Sequence, residues 1–185
     1  YQATFVFPYR FFIFYFILRW FYRSNIACLL YKKERGADGK ALYKVLIVER
    51  VGERVHWQLP QGGTHGESLM MAGARELKEE LNTDNFKAVA VFKNLFQYKF
   101  SRFLDKYGFP MKNQRGYRGQ RQSLLIAEFT GEDSEIKVNY WEHAGWRWVE
   151  AEKLVAEVYS TRQEATKIFL TKFWETVNSV IAASE

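Results

Sequence analysis

The chain has 185 residues, a formal net charge of +6 and 48% apolar residues, which suits one domain with a real core and argues against a disordered chain. Its single cysteine, Cys28, excludes an internal disulfide, and its three histidines, His56, His65 and His143, lack the spacing of a zinc site. The excess of basic residues favours an anionic partner without choosing among nucleotide, RNA and lipid.

The chain opens on YQATFVFPYRFFIFYFILRWFYR, where eleven of the eighteen residues from Phe5 to Tyr22 are aromatic. Its apolar run FFIFYFIL is bracketed by Arg10 and Arg19, whereas a membrane-spanning helix needs about 20 mainly apolar residues. No small-residue cleavage site follows, so a secretory signal is not expected. Residues 1–21 read as an extension with three open roles: packing on the domain, meeting a membrane surface or protein partner, or being foreign to the domain. Residues 22–183 read as a single domain.

From Tyr22 onward the pattern is that of an ordinary core. NIACLLY (25–31) and LYKVLIVER (42–50) are strand-like runs joined by ERGADGK, whose Asp38-Gly39 is a turn signal. Cys28 reads as a small core residue of the first run, and a reducing, cytoplasmic setting is consistent with it. WQLPQGG (57–63) is a strand end breaking into a loop. Residues 68–81 then read as a helix with Met70, Gly73, Ala74, Leu77 and Leu81 on one face, stopped by Asn82 in a left-handed cap. FKAVAVF (86–92), NLFQYKF (94–100) and SLLIAEF (123–129) are strand candidates. GWRWVEAEKLVAEV supplies a short strand and a short helix, with Trp146 and Trp148 turned to the core. Residues 161–182 make a closing amphipathic helix that buries Ile168, Phe169, Phe173, Val177 and Ile181. Strands interspersed with helices imply a mixed α/β domain.

The helix over 68–81 concentrates the chemistry. Glu76, Glu79 and Glu80 stand at i, i+3 and i+4, so their side chains share one strip beside the apolar face. Like charges at that spacing repel, and a merely solvated helix would alternate them with lysines. Hard divalent cations take oxygen ligands and bridge to substrate phosphates, a demand that clustered carboxylates meet.

With Glu67 and Arg75 added, the order glutamate, Arg-Glu, then paired glutamates resembles the signature of the Nudix hydrolases. The resemblance implies an α/β/α sandwich with a mixed sheet and a loop–helix–loop catalytic motif that binds Mg²⁺ or Mn²⁺. Carried over, it makes Glu76, Glu79 and Glu80 metal ligands, gives Gly63 a backbone ligand role and makes Glu67 and Arg75 braces. Asn82 replaces the family's closing glycine, and GGTHGE is shorter than the usual glycine-to-glutamate spacing. His65, in that loop, reads as solvent-facing.

WQLPQGG, YRSN, YKF, GQRQ and EHAGWRWV resemble the branch containing bacterial RNA pyrophosphohydrolases and dinucleoside tetraphosphate hydrolases. By that likeness Glu142 completes the catalytic and metal set. Arg23, Tyr98, Lys99, Gln120, Arg121 and Gln122 match positions near the substrate phosphates. The general base is expected to be Glu76 or Glu142. Residues 93–121 hold eight basic side chains and one acid, Asp105, interleaved with aromatics, a composition suited to phosphates and bases. The expected substrate is an RNA 5′-polyphosphate end or a dinucleoside polyphosphate, with no reading of DNA sequence. A pyrophosphatase for free nucleoside triphosphates and a non-catalytic nucleotide sensor are the alternatives.

Overall fold

The computed structural model describes residues 21–36, 39–52, 55–100 and 117–183. Most of the aromatic opening, Asp38 of the turn signal and the middle of the basic stretch lie outside the described residues. The chain divides into two compact units, Tyr1–Ser24 with Gln97–Arg121 and Asn25–Phe96 with Gln122–Glu185.

The central strands follow the continuous apolar runs IACLLY, VLIV and LLIA. The strands are β1 (Tyr22–Arg35), β2 (Ala41–Arg50), β3 (Trp57–Gln58), β4 (Gln61–Gly63), β5 (Phe86–Lys99), β6 (Gly119–Phe129) and β7 (His143–Glu150). They form one mixed sheet in the order β3-β2-β1-β6-β5, with β4 added to β1 and β7 to β2. β1 and β2 are antiparallel, with Tyr31 opposite Val45, and β4 sets Gly63 opposite Asn25. The helices are α1 (Leu69–Leu81), α2 (Leu154–Glu157) and α3 (Gln163–Ala182).

Alternation along the central strands builds two cores. Ala27, Leu29 and Tyr31 of β1, Val45 and Ile47 of β2, and Leu124 and Ile126 of β6 pack with Phe169, Phe173 and Val177 of α3. The intervening residues Ile26, Cys28, Leu30, Leu46, Val48, Leu125 and Ala127 pack with Ala72, Leu77 and Leu81 of α1. A sheet buried on both faces between helices is the expected α/β/α arrangement. Each fully buried leucine contributes roughly 2–3 kcal/mol of transfer free energy. Trp146 and Trp148 are partly buried against the α1-side core, as expected.

Three expectations need correction. Met70 is 42% exposed, because α1 is rotated so that Gly73, Glu76, Leu77, Glu80 and Leu81 face inward. Gly73 permits that rotation: a Cβ there would meet Leu125 at 2.5 Å. Ile181, 40% exposed, lies near the outer end of α3 rather than in the core. The two strands expected over 86–100 are one, β5, which passes through Asn94 in the left-handed region at φ 55° while Ser123 Oγ accepts from its N–H.

Candidate functional site

The loop before α1 is tied to the helix by Arg75. Ser68 caps the helix by accepting from Met71 N–H, and Asn82 ends it at φ 55° with its N–H donated to Lys78 O. From the second turn, Arg75 Nε donates to Glu67 Oε2 at 2.9 Å, and Nη2 donates to Gly63 O at 2.6 Å. Nη1 donates to Glu76 Oε1 at 2.7 Å and to Glu79 Oε2 at 3.1 Å. Only a planar guanidinium fork can reach four acceptors in this way. Burial opposes its charge, but hydrogen bonds to Glu76 and Glu67 outweigh that and hold Arg75 more firmly protonated than usual.

Gly62 makes room for this arrangement, since a Cβ there would lie 2.0 Å from the Glu76 carboxylate. His65 is exposed on the same loop at φ 48°. Glu76 and Glu80 are buried while Glu79 is exposed, so the i, i+3, i+4 strip straddles the edge of the core.

A second segment closes on the C-terminal end of α1. Asn139 N–H donates to Glu80 O and Lys137 N–H to Leu81 O, each at 3.0 Å. His143 N–H and Glu142 N–H both return to Asn139 O, and Val51 N–H donates to Glu142 O. These bonds bring carboxylate oxygens of Glu80 and Glu142 and a ring nitrogen of His143 within 4.8 Å of one another. His143 Nε2 lies 3.0 Å from Glu80 Oε2, yet neither atom has an aligned hydrogen-bond partner. Both side chains are buried, Glu80 at 4% and His143 at 2% exposure.

Electrostatics at this point favours a cation. Burial pushes the Glu80 carboxyl up to about 7, with His143 pulling it down and the Glu76 charge adding to the rise. Burial likewise raises Glu76, against the opposing Arg75 charge. The Cys28 thiol, whose Sγ donates to Gly73 O at 3.5 Å, is raised by burial and then by the charges of Glu80 and Glu76. Cys28 is therefore an inert core residue, as expected. Glu80 Oε1 accepts only a long hydrogen bond, from Gln61 N–H at 3.4 Å, and a divalent cation would offset the cost of burying this carboxylate beside His143. Carboxylates suit Mg²⁺ or Mn²⁺, and Glu80 and Glu142 are grouped at the end of α1 while Arg75 engages Glu76, Glu79 and the Gly63 carbonyl.

The other expected residues have partners and surroundings of their own. Gln122 is 1% exposed and donates from Nε2 to Gln61 Oε1 at 2.8 Å and to Asn25 Oδ1 at 3.2 Å, a buried amide set behind β4. In the other compact unit, Tyr98 donates its hydroxyl to Gln120 Oε1 at 2.7 Å, and Arg121 Nε donates to Gln97 Oε1 at 2.9 Å. The Arg121 guanidinium lies 5.9 Å from the Tyr22 ring, Arg23 is half-buried and Lys99 is exposed. Sequence reasoning missed His143, set aside for lacking zinc spacing. Its one local signal is adjacency to Glu142.

Comparison with known proteins bears on the family and the fold. The sequence model of the NUDIX domain matches residues 21–170. An RNA pyrophosphohydrolase of Wolbachia sp. subsp. Drosophila simulans (strain wRi) is 32% identical over 167 residues, spanning 88% of this chain and 93% of its own. One from Pelagibacter ubique (strain HTCC1062) is 32% identical over 139 residues, 73% and 85% of the two chains. Among solved structures, a C. elegans Ap4A hydrolase superposes with a TM-score of 0.57 at 19% identity, covering 83% of this chain and 98% of that one. An E. coli dihydroneopterin triphosphate pyrophosphohydrolase gives 0.53 at 20% identity, covering 82% and 98%. No helix among the described residues is long and apolar enough to cross a membrane.

Proposed function

The chain belongs to the Nudix family and is a pyrophosphohydrolase of it, and from that premise we propose that it hydrolyses the polyphosphate at an RNA 5′ end with Mg²⁺ or Mn²⁺. The observation that carries the substrate class is the identity to RNA pyrophosphohydrolases over most of the chain. The buried Glu80 carboxylate, whose Oε2 has no aligned hydrogen bond, stands beside Glu142 and supports the metal requirement.

In this reading Glu76, Glu79, Glu80 and the Gly63 carbonyl would hold the cation, with Glu142 beside it and not fully committed to it. The cation supplies charge neutralisation for the polyphosphate oxygens and makes water more acidic. Water oxygen bonds to phosphorus as the anhydride oxygen leaves with its electron pair, and a carboxylate takes the water's proton. Glu142 is assigned as that base: it is exposed, and no side-chain hydrogen bond ties it among the described residues, whereas Arg75 holds Glu76 at 2.7 Å. Glu67 and Arg75 orient the loop. Tyr140 and Trp141, 77% and 93% exposed beside Glu142, offer stacking faces for a base. On the family resemblance Arg23, Tyr98, Lys99, Gln120 and Arg121 are assigned to the substrate phosphates, and Gln122 holds Gln61 of β4.

The test compares triphosphorylated RNA, dinucleoside polyphosphates and free nucleoside triphosphates with each metal. The reading expects the highest kcat/KM on RNA. A higher value on either small substrate would overturn it.

A further inference from the structure

We infer that His143 is itself a metal ligand, making this a mixed nitrogen–oxygen site that prefers Mn²⁺ or Co²⁺ to Mg²⁺. The inference rests on the metal reading above and goes beyond a site made of carboxylates alone.

Three observations converge. His143 is 2% exposed and both its ring nitrogens lack aligned hydrogen-bond partners, although one of them lies within 4.8 Å of carboxylate oxygens of Glu80 and Glu142. The Nε2–Glu80 Oε2 separation of 3.0 Å has the length of a hydrogen bond without its alignment. That is also the spacing of neighbouring ligands on an octahedral ion, because bonds of about 2.1 Å at right angles put donor atoms about 3 Å apart. Finally, the chain hands His143 to the site with its backbone fixed: its N–H is bonded to Asn139 O, and Asn139 N–H is bonded to Glu80 O. The imidazole is thus delivered to the C-terminal end of α1 without a flexible linker.

The donor type sets the selectivity. Mg²⁺ takes oxygen and gains little from imidazole, whereas affinity for nitrogen rises from Mn²⁺ to Co²⁺. Another use for His143 would be to orient Glu80 without touching the ion, and the two roles differ in measurable ways.

Pulsed EPR of the Mn²⁺-loaded full chain reads the nitrogen directly. The expected result is a ¹⁴N coupling that changes to ¹⁵N when the protein is made with ¹⁵N-histidine and disappears in His143→Leu. Calorimetry should show His143→Leu weakening Co²⁺ binding about ten-fold or more while Mg²⁺ affinity shifts far less. If His143→Leu does not fold, His65→Gln serves instead: a coupling that persists assigns the signal away from the exposed loop imidazole, and one that vanishes overturns the inference. Mn²⁺ binding that needs Glu80 but shows no nitrogen coupling overturns the inference and leaves the carboxylate site standing. No Mn²⁺ binding at all overturns both.

Discussion

A Cβ on Gly62 would occupy the space of the Glu76 carboxylate, at 2.0 Å from its carbon and both oxygens. The glycine of β4 and the glutamate of α1 are thus a matched pair, and the carboxylate is further pinned by Arg75 at 2.7 Å.

Gly62→Ala should therefore expel Glu76 from its place while sparing the core. The displaced atoms are the far end of one side chain, so thermal stability should fall by only about 1–2 kcal/mol. Turnover should fall at least ten-fold, because misplaced groups are costly in catalysis. A melting curve and a rate on triphosphorylated RNA check both, and near-normal turnover would show that Glu76 is not needed where it stands.

Glu79→Gln and Glu80→Gln should each lower kcat about a hundred-fold or more, since each removes a ligand charge at constant shape. They should differ in the metal-free protein. Glu80→Gln removes a buried charge and should raise the melting temperature at pH 8, whereas exposed Glu79→Gln should leave it nearly unchanged.

The pH dependence of the metal-free protein follows from the raised carboxyls. Glu80 has a folded value of about 7 against an ordinary 4.5, so the folded chain holds a proton that the unfolded chain has lost. Its contribution to stability is full below pH 4.5 and is lost as pH rises through about 7. Glu76, also raised, acts in the same direction. Added Mn²⁺ should bind the ionised form, so its stabilising effect should grow over the same window. Differential scanning calorimetry with and without the metal tests this; a metal-free stability rising from pH 5 to 7.5 in parallel with the Glu80→Gln variant would remove Glu80 as the cause.

Trp141, 93% exposed, should matter for RNA more than for a small triphosphate. Stacking of one base on an aromatic ring is worth about 1–3 kcal/mol, so Trp141→Ala should raise KM for RNA roughly ten-fold. An equal change on both substrates would place the ring elsewhere in the reaction.

Charge reversal of Lys99, Arg118 and Arg121 should weaken RNA binding in low salt. The salt slope should fall by up to about three, near one for each phosphate that is no longer neutralised. An unchanged slope would mark these cations as facing bulk solvent only.

Much of this was legible along the chain because its causes are local. The limits of α1 follow from Ser68, whose side chain caps the first turn, and from Asn82, which tolerates the left-handed region. The α/β/α layering follows from alternation in β1, β2 and β6, where odd and even residues serve opposite cores. The carboxylate strip follows from helical spacing, and Arg75 lies within reach of Glu79 by the same rule.

What only the tertiary structure decided is which of those carboxylates is buried and what meets it. Spacing defines a helix's faces but not its rotation about its axis. The close approach of Gly73 to Leu125 sets that rotation, turning Glu76 and Glu80 inward and Met70 outward. His143 stands far from Glu80 in sequence, and the two are brought to 3.0 Å by backbone hydrogen bonds from Lys137 and Asn139 to the end of α1. A pairing made by the docking of one backbone on another leaves no periodic trace in the residues that it joins.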